Sequence, residues 1–369
     1  MDNKMIFNAI CARMDSNPLD TVLYTDAFSC LRNEGESDIA TACELNHQLM
    51  NRVAKSMLLA KENGQTKVIQ SLHDVFRKQL FYSAPYCLDD FARAIEIDRP
   101  PHKRFYAPRR HYLRPMVQGY QDVLDGKLRL LTVSMPKRAG KSQTEILFTL
   151  LLSGRFPDKS TLMEGTGDDL VKSFYNGCLE YLQTPNEYNY YDIFPAVPLV
   201  QTNADTKTIN LLNKSRFPTV MCRSIDARQV GLSEASNALI LDDCVEGREE
   251  AKNRQRLDDK WEVISGDIMG RAIEGTPMVF TGTRYSLYDP IGRVQEHAQR
   301  EGWAWRAIEI PALDLVTDES NYEYEREGKK VFTTAYFREQ RELLSAEQFE
   351  SEFQQQPFEA KGLLFNKDE

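Results

Sequence analysis

The strongest constraint on the fold is an apolar run followed by a short loop and a second apolar segment near the middle of the chain. Residues 130–142 read LLTVSMPKRAGKS, and the run Ile146–Leu152 follows, ending at Gly154. The first run has the length of a buried strand, and glycine is common just after the end of a helix. The segment therefore predicts a strand, a loop and a helix in direct succession.

The loop matches most of the pattern G-x-x-x-x-G-K-[ST], which binds phosphate when it lies between a strand and a helix. Met135 stands at the first glycine position, and Gly140, Lys141 and Ser142 match the rest. Backbone N–H groups at a helix N-terminus attract anions, the lysine adds a point charge, and the serine hydroxyl can ligate Mg²⁺. The alternative is an ordinary strand–turn–helix with an exposed lysine. The candidate nucleotide-binding residues are Pro136, Lys137, Arg138, Ala139, Gly140, Lys141 and Ser142.

A second apolar run, Ala238–Leu241, ends in two acids, Asp242 and Asp243. ATP hydrolysis requires a carboxylate for the Mg²⁺ shell and a group that positions or activates water. We expect Asp242 to hold the metal, directly or through water, and Asp243 to act as general base, with Glu246 as the alternative base. Paired acids after a strand also serve as helix N-caps, so this pattern alone is ambiguous.

A third apolar run, Met278–Thr281, continues into Gly282 and Thr283. Ligands of open α/β sheets bind at the carboxyl ends of the strands, where these small hydroxyl side chains would lie. Either Thr281 or Thr283 is therefore a candidate sensor of the γ-phosphate.

Short apolar runs alternate with helical stretches beyond residue 103, which favours a mostly parallel sheet covered by helices. Residues 1–98 are expected to form an N-terminal helical extension, with the proline-containing stretch 98–102 as the linker. Residues 103–335 would form the core, including a hairpin over 208–225. Residues 336–369 would form a charged helix, Tyr336–Phe353, and a further linker.

Composition excludes several classes of protein. A net charge of -9 does not fit a basic nucleic-acid coat, although a local basic patch on a motor stays compatible with it. The seven cysteines form no Cys-x-x-Cys pair and no histidine lies at zinc-finger spacing, which argues against structural zinc and fits free thiols in a reducing compartment. No signal peptide or membrane-spanning run is recognisable, so a soluble intracellular protein is expected.

Taken together, these segments resemble the ATPase domain of tailed-phage terminase large subunits, from about Tyr112 to Phe365. The resemblance implies a P-loop NTPase of the RecA-like, additional-strand type, with Walker A and Walker B motifs and a coupling motif at Thr281, Gly282, Thr283 and Arg284. It is carried by Val133–Ser142, Leu162–Leu182 with Gly165–Leu170, Gly231–Asp243, Thr281–Arg284 and Phe353–Phe365.

The resemblance also implies an activity and its setting. The chain would hydrolyse ATP with Mg²⁺ and drive double-stranded DNA into a procapsid, as a homo-oligomeric ring with five copies as the expected number. The portal protein and the small terminase subunit would be its partners, in the host cytoplasm at the procapsid portal and not at a membrane. The acidic cluster of the family's nuclease has no counterpart in this sequence, so DNA cleavage is expected only of a longer chain.

Three arginines acquire expected roles through the resemblance. Arg228 would reach the site of a neighbouring subunit, Arg138 would contact phosphate in its own subunit, and Arg284 would link the coupling motif to the loop. A structural salt bridge is an equal alternative for each. Two departures stand out: Met135 replaces a small residue, and Asp243 stands where many relatives have glutamate.

Two other functions stay open from the sequence. A helicase or recombination ATPase would need a second α/β lobe, for which the mostly charged segment after Pro311 leaves no room. A nucleotide-regulated scaffold would bind ATP without turnover, and the Asp242–Asp243 pair argues against it because binding alone needs no base.

Overall fold

The computed structural model describes residues 3–227 and 233–358. The chain divides into two compact units, Met1–Asp98 and Arg99–Glu369. No helix within the described ranges combines the length and the apolar character that crossing a bilayer requires.

The first unit is helical, as predicted. Leu45, Leu49 and Val53 recur four residues apart and are buried, because residues at this spacing share one face of a helix. They pack with aromatic and aliphatic side chains of the first two helices, including Phe7 and Tyr24. The helices are α1 Asn3–Ser16, α2 Thr21–Gly35, α3 Ile39–Glu62, α4 Thr66–Ser83 and α5 Leu88–Ala94.

The second unit is built on an eight-stranded sheet in the order β3-β4-β5-β2-β6-β7-β1-β8. The strands are β1 Leu130–Ser134, β2 Thr161–Gly165, β3 Leu199–Asn203, β4 Thr208–Leu211, β5 Val220–Ser224, β6 Ala238–Asp242, β7 Met278–Gly282 and β8 Trp305–Glu309, with a separate hairpin of β9 Tyr324–Arg326 and β10 Lys329–Val331. The helices are α6 Tyr106–Leu124, α7 Lys141–Arg155, α8 Asp168–Gln183, α9 Tyr190–Ile193, α10 Arg248–Ala251, α11 Arg254–Glu262, α12 Pro290–Arg300, α13 Thr334–Leu343 and α14 Ala346–Glu352.

The order of the central strands confirms the predicted fold class. β7 lies between β1 and β6 and is parallel to both, so one strand is inserted between the loop-bearing strand and the acid-bearing strand. Ser134 is in register with Gly282, and Asp242 with Thr281. The three carboxyl ends therefore meet at one edge of the sheet.

Helices cover both faces of this sheet, which explains why β1, β6 and β7 are buried along their whole length. Leu130 belongs to a core cluster with Ile291 and Val294 of α12. The next residue, Leu131, points to the other face, where it lies against Gly119 of α6. Strands covered on both faces are apolar at every position, which is the pattern seen in the sequence.

The tail differs from expectation. The single helix predicted over Tyr336–Phe353 is two helices, α13 and α14, separated at Leu344 and Ser345. Ser345 begins α14 with a capping box, in which its hydroxyl accepts from the Gln348 N–H and the Gln348 side chain accepts from the Ser345 N–H. A serine followed three residues later by glutamine is a helix start signal, so a new helix begins there.

Candidate nucleotide-binding site

The loop between β1 and α7 is anchored to the neighbouring strand. Met135 N–H donates to the Gly282 carbonyl at 3.2 Å, which ties the first loop residue to the end of β7. Gly140 precedes α7 with φ 99°, and a Cβ there would lie 2.9 Å from the Phe105 ring. Glycine at 140 is therefore required both by its backbone conformation and by the adjacent aromatic ring.

Lys141 is folded onto the loop and is only 5% exposed. Its Nζ donates to the carbonyls of Met135 at 2.9 Å and Pro136 at 3.1 Å, and to Thr283 Oγ1 at 3.3 Å. These bonds place the ammonium group inside the loop, where an incoming phosphate can replace the carbonyl oxygens as its partner.

The other loop side chains divide into buried and exposed. Ala139 is buried, whereas Lys137 and Arg138 are exposed. Lys137 Nζ lies 3.6 Å from Glu352 Oε2. Arg138 has φ 64° and makes no ion pair with any residue of 3–227 or 233–358. Its guanidinium is therefore available to a ligand, which is the arrangement that the predicted phosphate contact needs.

Asp242 ends β6 and is fully buried, and neither of its carboxylate oxygens accepts a hydrogen bond of normal geometry from any described residue. Burial, and secondly the charge of Asp243, raise its pKa to about 7, although Ser142 and Lys141 lower it. Ser142 and Asp242 line one cleft of about 600 Å³ between α7 and α8. A buried carboxylate lacking donors beside a hydroxyl fits a Mg²⁺ ion, which prefers hard oxygen ligands.

Asp243 is held at the junction of β6 and β7. Its φ is 42°, a region that non-glycine residues rarely adopt. Its N–H donates to the Thr281 carbonyl at 2.8 Å, and its Oδ1 accepts from Thr283 N–H at 3.3 Å. The Asp243 carboxylate thus lies beside the threonine that contacts Lys141. Its position fits the predicted general base.

Glu246 lies further from this junction. Its side chain is exposed, and its backbone N–H donates to Glu250 Oε2 at 2.7 Å. Glu250 in turn pairs with Lys260 at 2.6 Å. Glu246 therefore has none of the contacts to β7 that fix Asp243.

The two threonines of the predicted coupling motif point to different places. Thr283 Oγ1 donates to the Met135 carbonyl at 3.2 Å and accepts from Lys141, so it contacts the loop directly. Thr281 is fully buried, and its hydroxyl lies 3.2 Å from the Tyr120 hydroxyl. Of the two residues that the sequence left open, Thr283 is the one beside the loop between β1 and α7.

Arg284 forms structural salt bridges, which was the alternative to its expected link between the coupling motif and the loop. Its Nε donates to Asp289 Oδ2 at 3.0 Å and its Nη1 to Glu309 Oε1 at 3.4 Å, and the side chain is 6% exposed. Asp289 is the N-cap of α12. Arg284 therefore joins the end of β7 to α12 and β8, whereas the contact to the loop is made by Thr283. Arg228, and Gly231 and Leu232 of the segment Gly231–Asp243 that resembles the terminase magnesium strand, lie outside the described residues, as do residues 359–365 of the segment Phe353–Phe365.

The sequence did not identify Glu145 of α7, which is fully buried beside the site. Glu145 Oε1 accepts from Tyr120 Oη at 3.1 Å, and Oε2 has no donor within the part of the chain that the structure describes. Burial, and secondly the charge of Asp242, hold its pKa well above the usual range. Glu145 is therefore favoured in its protonated form, which limits the negative charge buried beside Asp242. The available signal was the one acid of α7, directly before its apolar run Ile146–Leu152.

Comparison with known proteins gives little further information. No family model matches this chain, and no curated protein matches it. One similar solved structure is that of the HK97 bacteriophage large terminase, with 11% sequence identity and a TM-score of 0.46. The alignment covers 67% of this chain and 50% of that one, so this chain matches only half of the terminase.

Proposed function

We propose that the unit Arg99–Glu369 binds and hydrolyses Mg-ATP at the loop between β1 and α7. The observation that carries this proposal is the juxtaposition of Lys141 and Ser142, at the start of α7, with the fully buried and donor-free carboxylate of Asp242. An uncompensated buried carboxylate is costly, and a cation bound there offsets that cost.

Each group has a distinct task. The N–H groups of the loop and of the first turn of α7 bind phosphate oxygens, and Lys141 leaves the Met135 and Pro136 carbonyls to contact the same phosphates. Ser142 and Asp242 would hold Mg²⁺, which neutralises charge on the phosphates. Thr283, bonded to both Lys141 and the loop, responds to whether the terminal phosphate is present.

Asp243 is the favoured base. Its carboxylate is fixed by Thr283 N–H, on the same strand end that contacts Lys141. From there it accepts a proton from water as the water attacks the terminal phosphate, in the manner of a positioned general base. Glu246 stays the alternative, and Arg138 supplies a positive charge to the phosphates within the same subunit.

The finer proposal is that this ATPase is the motor of a viral terminase large subunit, moving double-stranded DNA into a procapsid. The ordered resemblance of the loop, the acid-bearing strand and the coupling motif supports it, and so does the strand inserted between β1 and β6. On this proposal the chain works as a homo-oligomeric ring with the portal protein and the small subunit as partners. Arg228 then completes the site of the neighbouring subunit.

A paired DNA assay separates this proposal from its rivals. We expect duplex DNA to stimulate ATP turnover, and the protein to displace the third strand of a triplex while leaving the duplex intact. Lys141→Ala, assayed beside the wild type, should do neither. Strand separation would instead indicate a helicase, and tight ATP binding without turnover would indicate a scaffold.

A further inference from the structure

We propose that His47, Cys87 and Asp90, in the unit Met1–Asp98, form a zinc-binding site. The ligand atoms of the three side chains all lie within 4.8 Å of one another, and His47 Nε2 is 2.7 Å from Asp90 Oδ2. Zinc bond lengths of about 2.0 to 2.3 Å place tetrahedral ligand atoms roughly 3.3 to 3.8 Å apart. If the metal replaces the proton shared by His47 and Asp90, the ligand atoms of these two side chains need to move apart only slightly.

Two helices supply the ligands. Cys87 immediately precedes α5 and Asp90 lies three residues later, so both side chains fall on one face of its first turn. The turn is fixed because Cys87 N–H donates to the Ser83 carbonyl at 2.9 Å and Phe91 N–H donates to the Cys87 carbonyl at 2.8 Å. His47 reaches the pair from α3. The histidine is far from the other two ligands in sequence, which is why spacing rules for zinc motifs did not identify the site.

A second layer of hydrogen bonds orients the carboxylate. Asp90 is 1% exposed, and its Oδ2 accepts from Ser83 Oγ at 2.5 Å. Ser83 Oγ in turn accepts from Asn46 Nδ2 at 3.1 Å. Arg93 Nη1 lies 3.5 Å from the other carboxylate oxygen and is the cationic group facing this cluster. Outer partners of this kind are typical of metal ligands and fix the direction in which they bind.

The chemistry of the three ligand atoms favours Zn²⁺ over other metal ions. A thiolate, an imidazole and a carboxylate suit Zn²⁺, whereas Mg²⁺ and Ca²⁺ prefer oxygen ligands alone. The His47 side chain is 45% exposed, so water can reach the fourth position. The site therefore differs in ligand chemistry and in place from the magnesium site at Ser142 and Asp242, and it would clip α5 to α3.

Cobalt substitution of the full-length chain tests the proposal, because thiolate bound to Co²⁺ gives a charge-transfer absorption that other ligands do not. We expect one Co²⁺ per chain with this absorption, and competitive displacement by Zn²⁺. Cys87→Ser should abolish the band, and His47→Gln and Asp90→Asn should each weaken binding by at least about 10-fold to 100-fold, as loss of supporting groups alone does. Cys30→Ser, a half-buried cysteine of α2 in the same unit, should bind as the wild type does.

Thermal unfolding keeps the result interpretable if a variant folds poorly. Zn²⁺ should raise the unfolding temperature of the wild type and of Cys30→Ser but not that of Cys87→Ser, since a metal that binds only the folded state stabilises it. Wild-type protein that shows no thiolate band, or Cys87→Ser that binds zinc unchanged, would overturn the proposal. His47 and Asp90 would then form an ion pair only.

Discussion

At the scale of single residues, the candidate site is governed by acids packed away from water. Glu145 and Asp242 are both fully buried, and burial raises the pKa of each. The charge of Asp242 raises the pKa of Glu145 further, and the charge of Asp243 raises the pKa of Asp242. Burial of a carboxylate is energetically costly unless a bound proton or a nearby cation neutralises its charge. On the proposed function, Mg²⁺ would replace a proton that these acids hold in the ligand-free protein.

This burial makes stability depend on pH in a defined direction. The pKa of Asp242 rises from 3.8 to about 7 on folding, so the folded state favours the protonated form. Its contribution to stability is complete below pH 3.8 and is lost as the pH rises through about 7. Asp242→Asn does not titrate, so we expect it to gain stability relative to the wild type between pH 5 and pH 8. Denaturant unfolding in EDTA measures this difference, and a difference that does not change with pH would contradict the assignment.

The choice of base is tested by matched amide substitutions. Asp243→Asn should retain Mg-ATP binding and lose turnover by about 10²-fold to 10⁴-fold, the usual contribution of a positioned base. Glu246→Gln should keep wild-type turnover, because Glu246 is exposed and lacks the contacts to β7. Binding measured with a fluorescent nucleotide and turnover by phosphate release separate the two effects. The opposite pattern would make Glu246 the base.

At the scale of secondary structure, the end of β7 connects the loop to the rest of the sheet. Thr283 contacts the loop, and the next residue, Arg284, is paired with Asp289 at the start of α12. Asp289 Oδ1 also accepts from Gly292 N–H at 2.9 Å. A change at the loop therefore reaches α12 through two successive residues.

Substitution by methionine should change stability at Arg284 but not at Arg138. Arg284→Met removes one partner of a buried ion pair and should cost about 3–5 kcal/mol of stability. Arg138→Met alters an exposed side chain and should leave the unfolding free energy within about 0.5 kcal/mol while lowering ATP turnover. Denaturant unfolding and phosphate release on both variants give the comparison. An unchanged stability in Arg284→Met would argue against the structural role.

The elements that the sequence predicted well are the ones with continuous apolar runs, namely β1, β6 and β7 with α7. β8 was not predicted, because it is an edge strand whose residues are mostly exposed and which has no continuous apolar run. Glu145 and the orientation of Thr281 depend on contacts with Tyr120 of α6, which no local pattern encodes. Local periodicity thus predicts buried strands and the residues at their ends, whereas edge strands and buried polar networks are set by tertiary contacts.

At the scale of the whole molecule, the two units carry separate proposals. The zinc site lies entirely within Met1–Asp98 and the ATP site within Arg99–Glu369. The zinc proposal and the ATPase proposal can therefore be tested independently of each other. The net charge of -9 makes attraction of the whole chain to DNA weak, so the proposed DNA binding would have to come from a local surface or from an assembled ring.

The most direct test of the central claim is ATP turnover per molecule across a wide series of protein concentrations, for wild type and Lys141→Ala together. We predict turnover that falls at least about 100-fold in Lys141→Ala, since preorganised charge at the reacting group contributes on this order. In the wild type it should also rise with concentration, because in the proposed ring Arg228 would act on a neighbouring subunit. Turnover that depends on Lys141 but not on concentration would contradict the shared site alone. If wild type and Lys141→Ala are indistinguishable, the loop between β1 and α7 is not an ATPase site.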